Sequence, residues 1–222
     1  MKQVLLALSL VATGAVLSSN SCAADVNGYA EVSSLGFGIG ASVAATSNLD
    51  IRLGYNTFSY SKDYNHSGIN YNGDIKLGTF ALVAEYHPFN SGFHVDAGLM
   101  FGDNKVNLKA RPTSNGVYTI NGVNYPVTTA DGIDGKIKLM DGAAPYIGLG
   151  WNLSAAQAKG WGFRSGLGVM FGKAQTTLTP VGQLATAPNI QTNLAAEENK
   201  LNNDLKIFKT YPVVYLGASY KF

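Results

Sequence analysis

The 222-residue chain carries 26 glycines, 46% apolar residues and only 14% charged residues, with a formal net charge of +2. That apolar content excludes a disordered chain, and the near-neutral charge excludes a basic nucleic-acid binder. No run of ~18 apolar residues occurs, which excludes helical membrane spans and leaves a glycine-rich, aromatic-rich β protein with room for one domain.

Residues 1–24 read as an export signal. Lys2 supplies the positive start, Val4 to Leu17 the apolar core, and Cys22-Ala23-Ala24 the small residues before a cut. The core is shorter than the ~20 residues a spanning helix needs. Cleavage after Ala24 removes Cys22, the single cysteine, so residues 25–222 hold no disulfide, thiol nucleophile or thiolate metal ligand. A lipoprotein would keep and acylate Cys22. Ser19, however, stands three places earlier, where such signals carry an apolar side chain.

Beyond the signal, apolar residues alternate with small or polar ones in stretches close to the ~9–11 residues of a transmembrane β-strand, which shows lipid on one side and a lumen on the other. The first strand spans 26–33 and returns through a tight turn at Ser33-Ser34-Leu35-Gly36. Because Val32 and Leu35 cannot share a face of one regular strand, a bulge inside a single long strand is the competing reading. Further strands follow at 36–46, 49–61, 71–88, 93–110, 136–153, 160–176 and 210–222. With 26–33 they make eight, the even number that a barrel with both termini on one side requires.

The alternation assigns faces. In 93–102, Phe93, Val95, Ala97, Leu99 and Phe101 point outward, while His94, Asp96, Gly98, Met100 and Gly102 point inward. In 161–172, Trp161, Phe163, Leu167, Val169 and Phe171 share the outer face, and Arg164 lies among glycines and Met170 on the inner one. A soluble β-sandwich alternates too, but its second face is polar rather than glycine-rich and it carries more charge.

Connections are of two kinds. Those at 46–48, 90–92 and 154–160 are short, and those at 62–70, 111–135 and 177–209 are long and polar. Outer-membrane barrels have short periplasmic turns and long external loops, which fixes the orientation. Tyr86, Phe93, Trp151, Trp161, Tyr220 and Phe222 all point outward beside a short turn or the C-terminus, as a periplasmic aromatic girdle. Within the last long loop, Ile190, Leu194, Leu201, Leu205 and Phe208 recur at helical spacing after Pro188, with Asn189 available to cap the start. This helix is either an amphipathic lid on the barrel rim or a constriction folded toward the lumen.

Arg52, Glu85, Asp96 and Arg164 point inward, each about four residues from a short turn, so at ~3.3 Å per residue they share one level. Two readings stay open: a mutual salt-bridge plug, since an eight-stranded barrel is just wide enough for side chains to fill, or a charged constriction selecting small zwitterions or cations. Inward glycines such as Gly40, Gly54, Gly148, Gly166 and Gly168 mark close packing or open space, and Tyr146 and Tyr215 are large enough to consume it.

An enzymatic reading has little to stand on. His87 and His94 flank one periplasmic turn, and an outer-leaflet active site could use only His66, whose neighbours are turn residues. Gly36-Phe37-Gly38-Ile39-Gly40 is followed by no helix, and no metal-ligand spacing occurs. No catalytic residue, metal or cofactor is expected.

Several stretches carry a family likeness: Tyr71-Asn-Gly-Asp-Ile-Lys-Leu, Ala84-Glu-Tyr-His-Pro-Phe89, Ala144-Pro-Tyr-Ile-Gly-Leu-Gly-Trp151, Trp161-Gly-Phe-Arg-Ser-Gly-Leu-Gly-Val-Met-Phe-Gly172 and the ending Tyr211 to Phe222. Together they resemble small proteobacterial outer-membrane proteins related to the CarO-type channels. The resemblance covers nearly all of 25–222 and implies a channel, in a family described as taking up ornithine and other basic amino acids. Phe222 with Tyr220 also resembles the C-terminal signal read by the barrel-assembly machinery. The expectation is an all-β protein: an eight-stranded antiparallel up-and-down transmembrane β-barrel in the cell outer membrane, with a short amphipathic helix in the last external loop. Its expected role is a narrow channel for small polar or zwitterionic solutes such as amino acids. The alternative is a closed structural barrel whose external loops mediate surface binding or envelope integrity. Expected partners are outer-membrane lipid, the barrel-assembly machinery and small polar solutes, with no nucleic acid.

Overall fold

The computed structural model describes residues 26–89, 91–153, 159–205 and 210–222, apart from the side chain of Asp141. The signal expected at 1–24 and Phe208 of the expected helix lie outside the described residues.

Eight strands close into an antiparallel ring. They are β1 (Val26–Ser33), β2 (Gly36–Thr46), β3 (Leu49–His66), β4 (Ile69–Tyr86), β5 (Phe93–Pro112), β8 (Gly132–Asn152), β9 (Gly160–Phe171) and β11 (Thr210–Lys221). Each pairs with the next in that order, and β11 pairs back onto β1. The all-β, eight-stranded expectation holds, including the separate first strand. Ser33 and Gly36 face each other across the first hairpin. The Ser33 hydroxyl accepts from the Leu35 N–H at 3.1 Å and donates to the Gly36 carbonyl at 3.1 Å. Gly36 sits at φ 105°, where a side chain would meet the Thr57 backbone, so a hairpin forms rather than a bulge.

The long polar connections contain more structure than their composition suggests. Residues 62–70 are not a loop: β3 and β4 run on to a two-residue turn, Ser67-Gly68, with φ of 50° and 75°. Both values are positive, as the tight hairpin turn that matches strand twist demands. Residues 116–127 form a second hairpin, β6 (Gly116–Ile120) with β7 (Val123–Val127), closed by Asn121-Gly122 at φ 50° and 77°. The expected strand 160–176 breaks after Phe171, and β10 (Gln175–Val181) resumes the wall by pairing with the outer half of β8. A register shift between Asn104 and Lys105 of β5 accompanies that change.

Helix α1 (Ile190–Asp204) forms within the expected segment, but Asn189 does not cap it with its side chain and adopts φ 58° instead. The helix packs neither on a bare rim nor alone. Ile190 and Leu194 join Ile120, Tyr125, Val127 and Leu184 in one apolar cluster, against which Ile133 and Leu178 pack. The polar side of α1 is bound as firmly. Glu198 accepts from the Leu178 N–H at 2.5 Å, Asn202 from the Thr176 N–H at 2.8 Å, and Glu197 from the Asn121 N–H at 2.9 Å. Leu178 and Ile133 share the inward face of β8 and β10, so this external cap lies on the lumenal side of the wall.

Asp131 ties the cap to the barrel. Its carboxylate accepts from the Thr128 N–H and hydroxyl at 2.8 Å each, and from the Leu184 N–H at 3.1 Å. Those bonds, with the Thr128 amide foremost, hold its pKa below the usual carboxylate range.

The alternation keeps its phase along β3, β4 and β5, yet its polarity inverts halfway. On the outer face of β5, Val95, Ala97, Leu99 and Phe101 are followed by Asp103, Lys105, Asn107 and Lys109. On the inner face, His94, Asp96 and Asn104 give way to Val106 and Leu108. In β4 the outer set runs Tyr86, Leu82 and Phe80, then Lys76, Asp74 and Asn72. An apolar outer band with polar flanks is what a hydrocarbon slab imposes on a barrel wall, and the inversion marks its upper edge.

Candidate functional site: the charged lumen

The four residues expected at one level meet. Arg52 Nε donates to Glu85 Oε1 at 2.5 Å, and Arg164 Nη2 donates to the same oxygen at 3.2 Å. Arg52 Nη2 lies 3.8 Å from Asp96 Oδ2. A fifth member, Glu31 of β1, approaches Arg164 Nε at 3.4 Å. Sequence reasoning missed it, although Asn27, Tyr29 and Glu31 alternate with Ala30 and Val32 on the neighbouring face.

Aromatic rings finish the layer. The Arg164 guanidinium lies 3.9 Å from the Tyr29 ring centroid and 5.0 Å from that of Tyr215, within cation–π range of both. Arg52 lies 5.9 and 5.7 Å from the same two rings. Among the described residues Arg164 is the largest fully buried side chain, at 1% exposure. In a low-dielectric lumen, such charges persist only when paired.

Glycines make this packing possible. A side chain at Gly40 or Gly54 would collide with the Tyr29 hydroxyl, one at Gly166 with the Tyr215 ring, and one at Gly168 with Tyr146. These four glycines are therefore sockets for tyrosines, and the space they open is filled. Above the charge layer, Val83, Met100, Met140, Tyr146, Met170 and Val213 form a buried apolar cluster, joined by Leu35 from the β1–β2 turn. Two successive layers of buried side chains, one charged and one apolar, thus face the lumen.

Below the layer, His94 Nδ1 stands 2.5 Å from Asp96 Oδ1, and His87 Nε2 stands 3.5 Å from Asp50 Oδ2. Folding thus gathers potential metal ligands that linear spacing does not reveal: Glu85, His94 and Asp96 offer atoms within 4.8 Å of one another, as do Asp50, Glu85 and His87. Both groups depend on Glu85, which already serves two guanidiniums. A divalent cation there would sit beside Arg52 and Arg164, and that repulsion argues against a metal centre.

The expected girdle residues lie at the short-turn end. The Phe93 and Trp151 rings are 4.9 Å apart, Trp161 and Tyr220 5.2 Å, and Tyr220 and Phe222 5.0 Å. Trp161 and Phe222 are among the most exposed side chains, at 73% and 67%, and Tyr86 on β4 is exposed too. Large apolar rings with no protein cover at the edge of an apolar band suit a membrane–water interface. His66 closes β3 stacked on Tyr64 at 6.0 Å.

No protein-family model matches the chain, and no curated protein does. Among solved structures it is similar to Acinetobacter baumannii CarO2, with a TM-score of 0.59 and 25% identity over 89% of this chain and 98% of that one. Acinetobacter baumannii CarO matches over the same shares, with a TM-score of 0.57 and 24% identity. The ring of eight strands, its apolar outer band and these neighbours lead to one statement: the protein is an outer-membrane β-barrel with the CarO-like fold.

Proposed function

We propose that the protein is a barrel closed at rest, which serves the envelope through its external face, in surface binding or envelope integrity, and performs no catalysis. One observation supports this above others: the lumen is filled twice over, by paired charges and then by an apolar cluster. Water and polar solutes do not cross a packed apolar plug without its rearrangement. Assembly into the membrane would use Phe222, which is exposed, and Tyr220, which is half-buried, as the signal to the barrel-assembly machinery.

A second reading has its own support. Buried ion pairs are seldom more stabilising than apolar side chains of similar volume. Two arginines and three carboxylates held at one level are thus more than a plug needs, and they are what a narrow path for amino acids or other small zwitterions would use. Conductance of the purified protein in planar bilayers decides between the readings. Silence from protein that migrates as a folded, heat-modifiable barrel supports the closed form. Discrete openings that change in Arg52→Ala or Arg164→Ala overturn it and support the channel.

A further inference from the structure

Above the apolar band, the outer face of β3, β4, β5, β8 and β10 carries a polar cleft of about 830 Å³. Its walls include Lys76, Lys109, Lys136 and Lys138, with Asp74 and Asp134 between them. Strand register aligns these residues in rows. Asp74 pairs across to Asn107, Asn107 to Lys136 and Lys136 to Thr177, while Lys76 faces Lys105 and Lys105 faces Lys138. By alternation this is the same sheet face that carries Phe80, Leu99 and Phe101 lower down. The lowest row lies four residues above Phe101, about 13 Å along the strand at ~3.3 Å per residue. That height corresponds to lipid headgroups, one step above the acyl chains.

Three aspartates of this face have basic partners, and Asp63, higher on β3, accepts from the Asn72 amide at 2.6 Å. Asp74 pairs with Lys76 at 2.8 Å, Asp134 with Arg111 at 2.6 Å, and Asp103 with Lys105. Among the described residues, Lys109 and Lys136 make no salt bridge, although both line the cleft. Cationic side chains at this level, continuous with a lipid-facing surface, complement anionic headgroups. A site facing free solute would have no reason to adjoin the hydrocarbon band.

We propose that this face binds the phosphorylated headgroup of an outer-leaflet glycolipid, with Lys109 and Lys136 as its phosphate contacts and Lys76, Lys105 and Lys138 supporting them. The proposal goes beyond the closed-barrel reading and holds whether or not the lumen conducts.

The test titrates fluorescent bisphosphorylated lipid A into detergent micelles of the full-length folded protein. The wild type binds saturably. Each lysine neutralised near an anionic site costs about fivefold in affinity, so Lys109→Gln and Lys136→Gln each weaken binding by that factor and the double variant by roughly 25-fold. Lys200→Gln, on the exposed side of α1, leaves binding unchanged and controls for general charge. The single variants keep the test decisive if the double variant misfolds on heat-modifiability gels. Affinity within twofold of wild type in both single variants overturns the proposal. So does equal binding of lipid A stripped of its phosphates, or displacement by millimolar inorganic phosphate, which would make the cleft a site for a soluble anion.

Discussion

The two halves of β4 and β5 share one backbone pattern and use it in opposite ways. In the lower half the outer face is apolar and the inner face holds charges. In the upper half the outer face holds lysines and aspartates, while the inner face carries Ile75, Val106 and Leu108. Hydrogen-bond register does not change where this happens in the β3–β4 pair, so the difference is not one of fold. It records what lies against each face. Hydrocarbon excludes charge from the lower exterior and drives it inward, where it must pair. Water and headgroups impose no such exclusion above, and on the neighbouring strands the inward Ile133 and Leu178 pack against the cluster that α1 forms with the β6–β7 hairpin.

The sharpest way to break this contrast is through the lower half. Arg164→Met leaves Glu85 with one guanidinium and Glu31 with none inside the lumen. Removing one member of a buried ion network costs about 3–5 kcal/mol, which should appear in urea unfolding of the detergent-refolded barrel followed by tryptophan fluorescence. A loss no greater than that of an exposed pair, about 0–1 kcal/mol, would show the layer to be solvated and the halves alike.

A smaller effect tests the sockets. Gly166→Val drives a branched side chain into the Tyr215 ring and the Leu149 carbonyl, an overpacking worth about 1–3 kcal/mol. Combined with Tyr215→Ala, the two losses should sum to clearly less than their separate values, because the clash has lost one partner. Additive losses would mean that ring and socket are not engaged.

The smallest expected effect on the barrel comes from the cap. Asp131→Asn weakens the bonds to Thr128 and Leu184, yet should leave the midpoint of barrel unfolding unchanged. Amide exchange across 116–127 and 182–204 should nevertheless rise. Since folding lowers the Asp131 pKa, its stabilising contribution is complete above the ordinary carboxylate value of about 3.9. It disappears as pH falls through the lower folded value. Exchange in the wild-type cap should therefore accelerate in acid toward that of the variant, while a barrel that opens together with its cap would erase the distinction between them.

Much of the lower half was legible in the sequence. Strand count, the two classes of connection, the outward rings and the shared level of Arg52, Glu85, Asp96 and Arg164 all follow from a period of two and the distance from short turns. Glu31 is harder to see because its strand is only eight residues long and carries a single charge. The upper half was harder to read for a physical reason. Polar composition at 62–70 and 111–135 suggests a loop, but strands outside hydrocarbon can be polar on either face. The signals present were Ser67-Gly68 and Asn121-Gly122, each a tight-turn pair between alternating residues. Contacts such as Glu198 with the Leu178 amide have no periodicity to betray them.

The tyrosine sockets carry a consequence for engineering. Because Gly148, Gly166 and Gly168 already lack side chains, trimming Tyr146 and Tyr215 would leave a stretch of bare backbone where rings now stand. A conduit through this molecule would also need Met100, Met140 and Met170 of the apolar cluster cut back, with the guanidiniums left to filter what enters.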